Sequence, residues 1–110
     1  MKLPKLKIKT KGQLTDIDGR KVKFRIGKYV ILPQSNYPEK VFILQEIFFE
    51  PGTMIPKKAK RKREIRIGYY ILGKKPGMKG RWVWGQFCPL ISRNDLNKLL
   101  KKARKEKIII

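Results

Sequence analysis

Val41-Phe42-Ile43-Leu44-Gln45-Glu46-Ile47-Phe48-Phe49 is the stretch on which the fold turns. β-Branched and aromatic residues dominate it, so it reads as a central strand with both faces largely covered. Pro51-Gly52 ends it. Downstream, Glu64 to Leu72 (EIRIGYYIL) forms the next strand, with Ile65, Ile67, Tyr69 and Ile71 on one face. Arg81 to Phe87 (RWVWGQF) pairs with it as a hairpin, across the basic, Gly/Pro-rich connector Gly73 to Gly80. Gly85 inside that strand marks a bulge or a close backbone approach.

Upstream, Val22, Phe24 and Ile26 alternate with Lys21, Lys23 and Arg25. Asp18-Gly19 is a two-residue hairpin signal that would set Asp16 opposite Lys21. Leu3 to Lys9 alternates Lys5, Lys7 and Lys9 with Leu6 and Ile8, the pattern of an exposed edge strand whose lysines block aggregation. Tyr29 to Leu32 reads as a short strand closed by Pro33. One helix follows late in the chain. Ser92 is its N-cap, Asp95 suits the positive end of its dipole, and Leu96, Leu99, Leu100 and Ala103 recur at the spacing of a buried stripe. Ile108 to Ile110 ends as a short strand or a hydrophobic tuck. The expected fold class is therefore a β-rich α+β domain: a small antiparallel barrel or sheet of about five strands, SH3-like or OB-like, with one C-terminal amphipathic helix.

At 110 residues and 41% apolar content, the chain fits one domain, 1–110, with material for one core. Its apolar runs are too short for a transmembrane helix, and Met1 to Lys11 lacks an export-type hydrophobic stretch, so the expected localisation is soluble and cytoplasmic. A single cysteine excludes an internal disulfide, and the absence of histidine excludes a Cys/His zinc site and histidine acid–base catalysis. Cys88, just before Pro89, reads as a small buried hydrophobe. No cofactor is expected.

Charge is the dominant functional signal. With 29 Lys and Arg against 8 Asp and Glu, the net charge is +21, so most cations have no partner within the chain. Thermally adapted proteins add glutamate along with lysine and build ion-pair networks, which this imbalance does not allow. Nucleic acid, DNA or RNA, is the expected partner. The segments 1–28, 29–56, 57–81 and 82–110 carry +8, −2, +10 and +5, so the second quarter stands apart as core or a protein-facing edge.

The binding candidates follow from that distribution. Lys57, Lys58, Lys60, Arg61, Lys62 and Arg63 form a polybasic run at 57–63 whose mutual repulsion predicts a mobile loop. Arg66, Lys74, Lys75, Lys79 and Arg81 would contact phosphate, while Trp82 or Trp84 would stack on bases or wedge between them. Trp82 and Trp84 share a face; they stand in solvent if Val83 and Phe87 point inward, and fill the core otherwise. Lys98, Lys101, Lys102 and Lys105 would give a second surface on the helix.

The composition resembles that of small archaeal, thermophilic or viral nucleic-acid-associated proteins, a likeness of class and not of motif. Lys79 to Phe87 departs from the aromatic strand of RNA-recognition domains at Arg81 and Trp82, and Gly68 to Gly73 lacks the context of a GIY-YIG nuclease. Three alternatives compete with a free-standing binder. One is a protein component of a ribonucleoprotein or of a viral or mobile-element assembly, docked through the 39–50 edge. The second is a metal-dependent nuclease using Glu46, Glu50 and Glu64. The third, an anionic membrane surface, would compete with the core for the helix leucines.

Overall fold

In the computed structural model, the described residues are 5–15, 19, 21–50, 63–85 and 88–110. Five antiparallel strands follow chain order across one sheet: β1 (Lys11–Thr15), β2 (Lys21–Gln34), β3 (Tyr37–Phe49), β4 (Arg63–Leu72) and β5 (Trp82–Trp84). The sheet curls into a half-barrel, and one helix, α1 (Arg93–Lys105), completes the α+β arrangement expected from the sequence.

β3 is the central strand. Val41 to Ile47 are all buried, and β3 pairs along its length with β2 on one side and β4 on the other. Both faces of β3 are therefore covered by different material. On one face Phe42 and Leu44 join Val30, Leu99, Ala103 and Ile108 in the helix-side core, flanked by Tyr69. On the other, Val41, Ile43 and Ile47 are buried together with Val22, Phe24, Tyr70 and Leu72. The covering of both faces explains why this segment is apolar without alternation.

The helix forms where the stripe predicts it. The Ser92 hydroxyl accepts from the Asp95 backbone N–H at 3.1 Å, capping the first turn. Asp95 does more than offset the dipole: it is buried and receives the Ser35 backbone N–H at 3.0 Å and the Ser35 hydroxyl at 2.5 Å. One carboxylate thus ties the helix start to the β2–β3 turn. At the other end Lys107 adopts φ 60°, and the Ile108 N–H donates to the Ala103 carbonyl at 2.9 Å, folding Ile108 back into the core as a tuck.

Several local expectations are corrected. Residues 5–9 form no strand; the first strand begins at Lys11. Thr15 faces Lys21 in the register of β1 and β2, and the expected Asp18-Gly19 turn with Asp16 lies, apart from Gly19, outside the described residues. Tyr29–Leu32 is not a separate strand but part of β2, which continues through a register shift between Ile26 and Tyr29. There Gly27 and Lys28 together stand against the single residue Glu46, one extra residue in β2, and the Lys28 N–H donates to Glu46 Oε1 at 2.9 Å. β2 then turns into β3 through Ser35-Asn36, with Asn36 in the left-handed region at φ 66°, a conformation asparagine tolerates. Cys88 is exposed, since it lies in the irregular stretch between β5 and α1 and not in the core.

Candidate functional site

Cross-strand partners share a face, so the register assigns every side chain of the half-barrel. Gln45 lies opposite Tyr29 on β2 and opposite Arg66 on β4, and Tyr70 lies opposite Trp84 on β5. These residues therefore share the concave face, away from the helix. Sheet curl brings together side chains from strands that are not neighbours. The Arg66 guanidinium sits 4.8 Å from the Phe24 ring centroid and 4.5 Å from that of Trp84, a cation held between two aromatic faces. Tyr70 meets Trp84 edge to face, with ring centroids 5.1 Å apart and planes at 80°.

Two further features fix this stack. Arg66 Nε donates to Gln45 Oε1 at 3.0 Å, and Gln45 is fully buried, so the arginine is anchored from below. Gly68 lies beneath the Trp84 indole: a Cβ there would fall 2.5 Å from Cζ2. Burial pushes the Arg66 guanidinium below the usual arginine value, and the Tyr70 phenol partly opposes that shift. Burial also raises the Tyr70 phenol above its ordinary value, opposed by Arg66.

The stack forms one wall of a cavity of about 580 Å³. Lys11 lines it from the start of β1, Lys7 and Lys9 from the segment just before that strand, and Arg81 from beside β5. With Arg66, five cations line this hollow, and among its described lining residues there is no Asp or Glu. A second cavity, about 500 Å³, lies on the other side of β5 and shares Met78, Val83 and Trp84 with the first. It is lined mainly by Tyr37, Tyr69 and Trp84 with the connector above them.

The sequence candidates divide accordingly. Arg66, Arg81, Trp82 and Trp84 come together at the concave cavity. Trp82 and Trp84 are both half-buried, so neither the fully exposed nor the fully enclosed alternative holds, and Val83 is half-buried on the opposite face. Lys74 is exposed on the connector; it lies over the Tyr37 ring and pairs with Glu39 at 3.2 Å, and hydrogen bonds with the Tyr37 and then the Glu39 side chain raise its ammonium above the ordinary lysine value. Lys75 and Lys79 are exposed on the connector. Arg63 opens β4 instead of closing a loop, and its Nη1 pairs with Glu46 Oε2 at 3.1 Å. Lys57, Lys58, Lys60, Arg61 and Lys62, with the rest of the expected mobile loop, lie outside the described residues.

Lys98, Lys101 and Lys105 are exposed on α1, across the sheet from the concave cavity, so they form a separate surface. Lys102 Nζ donates to the Ile31 carbonyl at 2.9 Å and helps dock the helix. The cavity also recruits residues that sequence reading left out: Lys7, Lys9, Lys11 and Phe24, with Gln45 as the buried anchor and exposed Tyr29 on the same face. Only the lysine alternation at 5–9 hinted at any of them.

Two of the competing constellations lose their geometry. The 39–50 segment is the middle of the sheet, paired on both sides, and offers no free edge to a protein partner. Glu46 pairs with Ile65 and Ile47 with Glu64, which sends Glu46 and Glu64 to opposite faces, where they cannot share a cation. Glu46 is occupied by Arg63 and the Lys28 N–H. Among the described residues no group of three potential metal ligands converges. No described helix is long and apolar enough to cross a membrane.

No protein-family model, curated protein or solved structure matches this chain. The site must speak for itself.

Proposed function

We propose that the protein is a nucleic-acid-binding module that holds the phosphate backbone with limited sequence preference. The observation that carries this reading is the concave cavity. It combines five cations, no described carboxylate and half-buried indoles, with one guanidinium fixed between two rings. A purely structural cluster of this charge would raise its own electrostatic energy without return. A polyanion supplies the missing counter-charge, and counterion release from its phosphates adds a favourable entropy. Exposed Lys98, Lys101 and Lys105, and the connector residues Lys75 and Lys79, extend the cationic surface around the molecule. The residues 57–62 add five more cations by sequence alone.

Filter binding with single- and double-stranded DNA and RNA at 50 and 200 mM salt tests this reading. At roughly 6–10 phosphate contacts, affinity should fall by several orders of magnitude over that range. Binding that ignores salt, or no binding to any of the four, would refute it.

A further inference from the structure

We infer that the concave cavity receives an unpaired segment, so that the preferred ligand is a single strand and not a duplex. This rests on the nucleic-acid reading and adds the strand state to it. The inference starts from where the aromatic rings are. Both tryptophans of the chain lie on β5 facing the cavity, half-buried, behind a rim of Lys7, Lys9 and Arg81. In a duplex the flat faces of the bases are stacked on one another, and the outer surface is phosphate. A duplex could touch the rim cations but could not bring a base face to an indole recessed in the cavity. An unpaired base can enter, since its faces are free and every base presents a π-surface.

The chemistry inside suits such a guest. Arg66 has one of its five N–H donors committed to Gln45, and its plane is fixed by Phe24 and Trp84. It is therefore a rigid donor at the wall of the hollow, matched to base oxygens and nitrogens or to phosphate. Rim cations within the same cavity can hold the flanking phosphates while the base sits inside. The second cavity shares Trp84 across β5, an edge strand of only three residues, and so gives the next nucleotide an adjoining aromatic seat.

The test uses the full chain and its own fluorescence, because both indoles report on this face. Titration with 15-mer oligo(dT) and oligo(rU) should quench or shift the emission. A duplex of equal length should compete at least tenfold more weakly at the same salt. Trp84→Leu, checked for folding by circular dichroism, should weaken single-strand binding roughly 5- to 150-fold while duplex binding changes little. Since that variant disturbs the stack, the unmodified protein's fluorescence and competition results stand independently of it. Salt-sensitive binding with equal or tighter affinity for duplex and no change in emission would overturn the inference, leaving the phosphate-binding reading intact. No binding to any nucleic acid would overturn both.

Discussion

Gly68→Ala offers a perturbation whose sign separates this account from a simpler one. A glycine in the middle of a strand ordinarily weakens it, so replacement by alanine is worth about 0.5–1 kcal/mol of added stability. At Gly68 the new Cβ would lie 2.5 Å from Trp84 Cζ2. Carbon–carbon contacts settle at about 3.5–4.0 Å, so the indole must retreat by about 1 Å or more. It has little room, with Arg66 4.5 Å from its ring centre and Tyr70 edge-on at 5.1 Å. Overpacking of this kind typically destabilises by about 1–3 kcal/mol. Offsetting the glycine gain leaves a net loss of up to about 2.5 kcal/mol, or a fall in Tm of up to roughly 10 °C for a domain of this size. Urea denaturation followed by both far-UV circular dichroism and tryptophan emission would measure it. In a Trp84→Phe background the shorter ring relieves the clash, and the same substitution should become neutral or stabilising, a coupling that a double-mutant cycle reads directly. If Gly68→Ala stabilises the protein in the presence of Trp84, the stacked wall of the cavity is not as described.

Three other outcomes are expected. Ser92→Ala should lower stability by about 1 kcal/mol in chemical denaturation, since it removes the acceptor for the Asp95 N–H. The Asp95 carboxyl is held below its ordinary value, first by the Ser35 hydroxyl and then by the Ser35 N–H. Its contribution to stability is thus complete above the unfolded aspartate value and disappears as pH falls through the lower folded value. Asp95→Asn should flatten that acid limb in a pH series of thermal melts; an unchanged limb would count against the tie. Arg63→Ala should cost about 1 kcal/mol of stability, because Glu46 is buried while Arg63 is half exposed and partly screened. It should alter nucleic-acid affinity less than a substitution at Arg81 does.

The parts of the fold that sequence reading recovered are those in which one segment carries its own signal. β3 is apolar on both faces, and α1 has a cap, a dipole-matched acid and a stripe at helical spacing. The strands β4 and β5 and their hairpin were legible for the same reason. What was not legible depends on geometry between segments. The continuation of β2 past Gly27 requires the bulge stabilised by Glu46, eighteen residues away in sequence. The Ser35-Asn36 turn draws support from Asp95, sixty residues on. The cavity itself depends on curl: Phe24 on β2 reaches Arg66 on β4 across the intervening β3, a contact that strand order alone would not make. The ion pairs of Arg63 with Glu46 and of Lys74 with Glu39 join residues well separated in the chain, so no local pattern announces them.

The most direct measurement is the slope of log affinity against log salt for a single-stranded oligonucleotide, compared between the unmodified protein and Lys7→Ala/Lys9→Ala. Both lysines are exposed on the cavity rim, so their removal should leave the fold intact. Each phosphate contact contributes about 0.7 to the slope for single strands, so the double variant should be shallower by about 1.4. An identical slope and affinity in the two proteins would place the bound phosphates elsewhere and contradict the role given to the concave face.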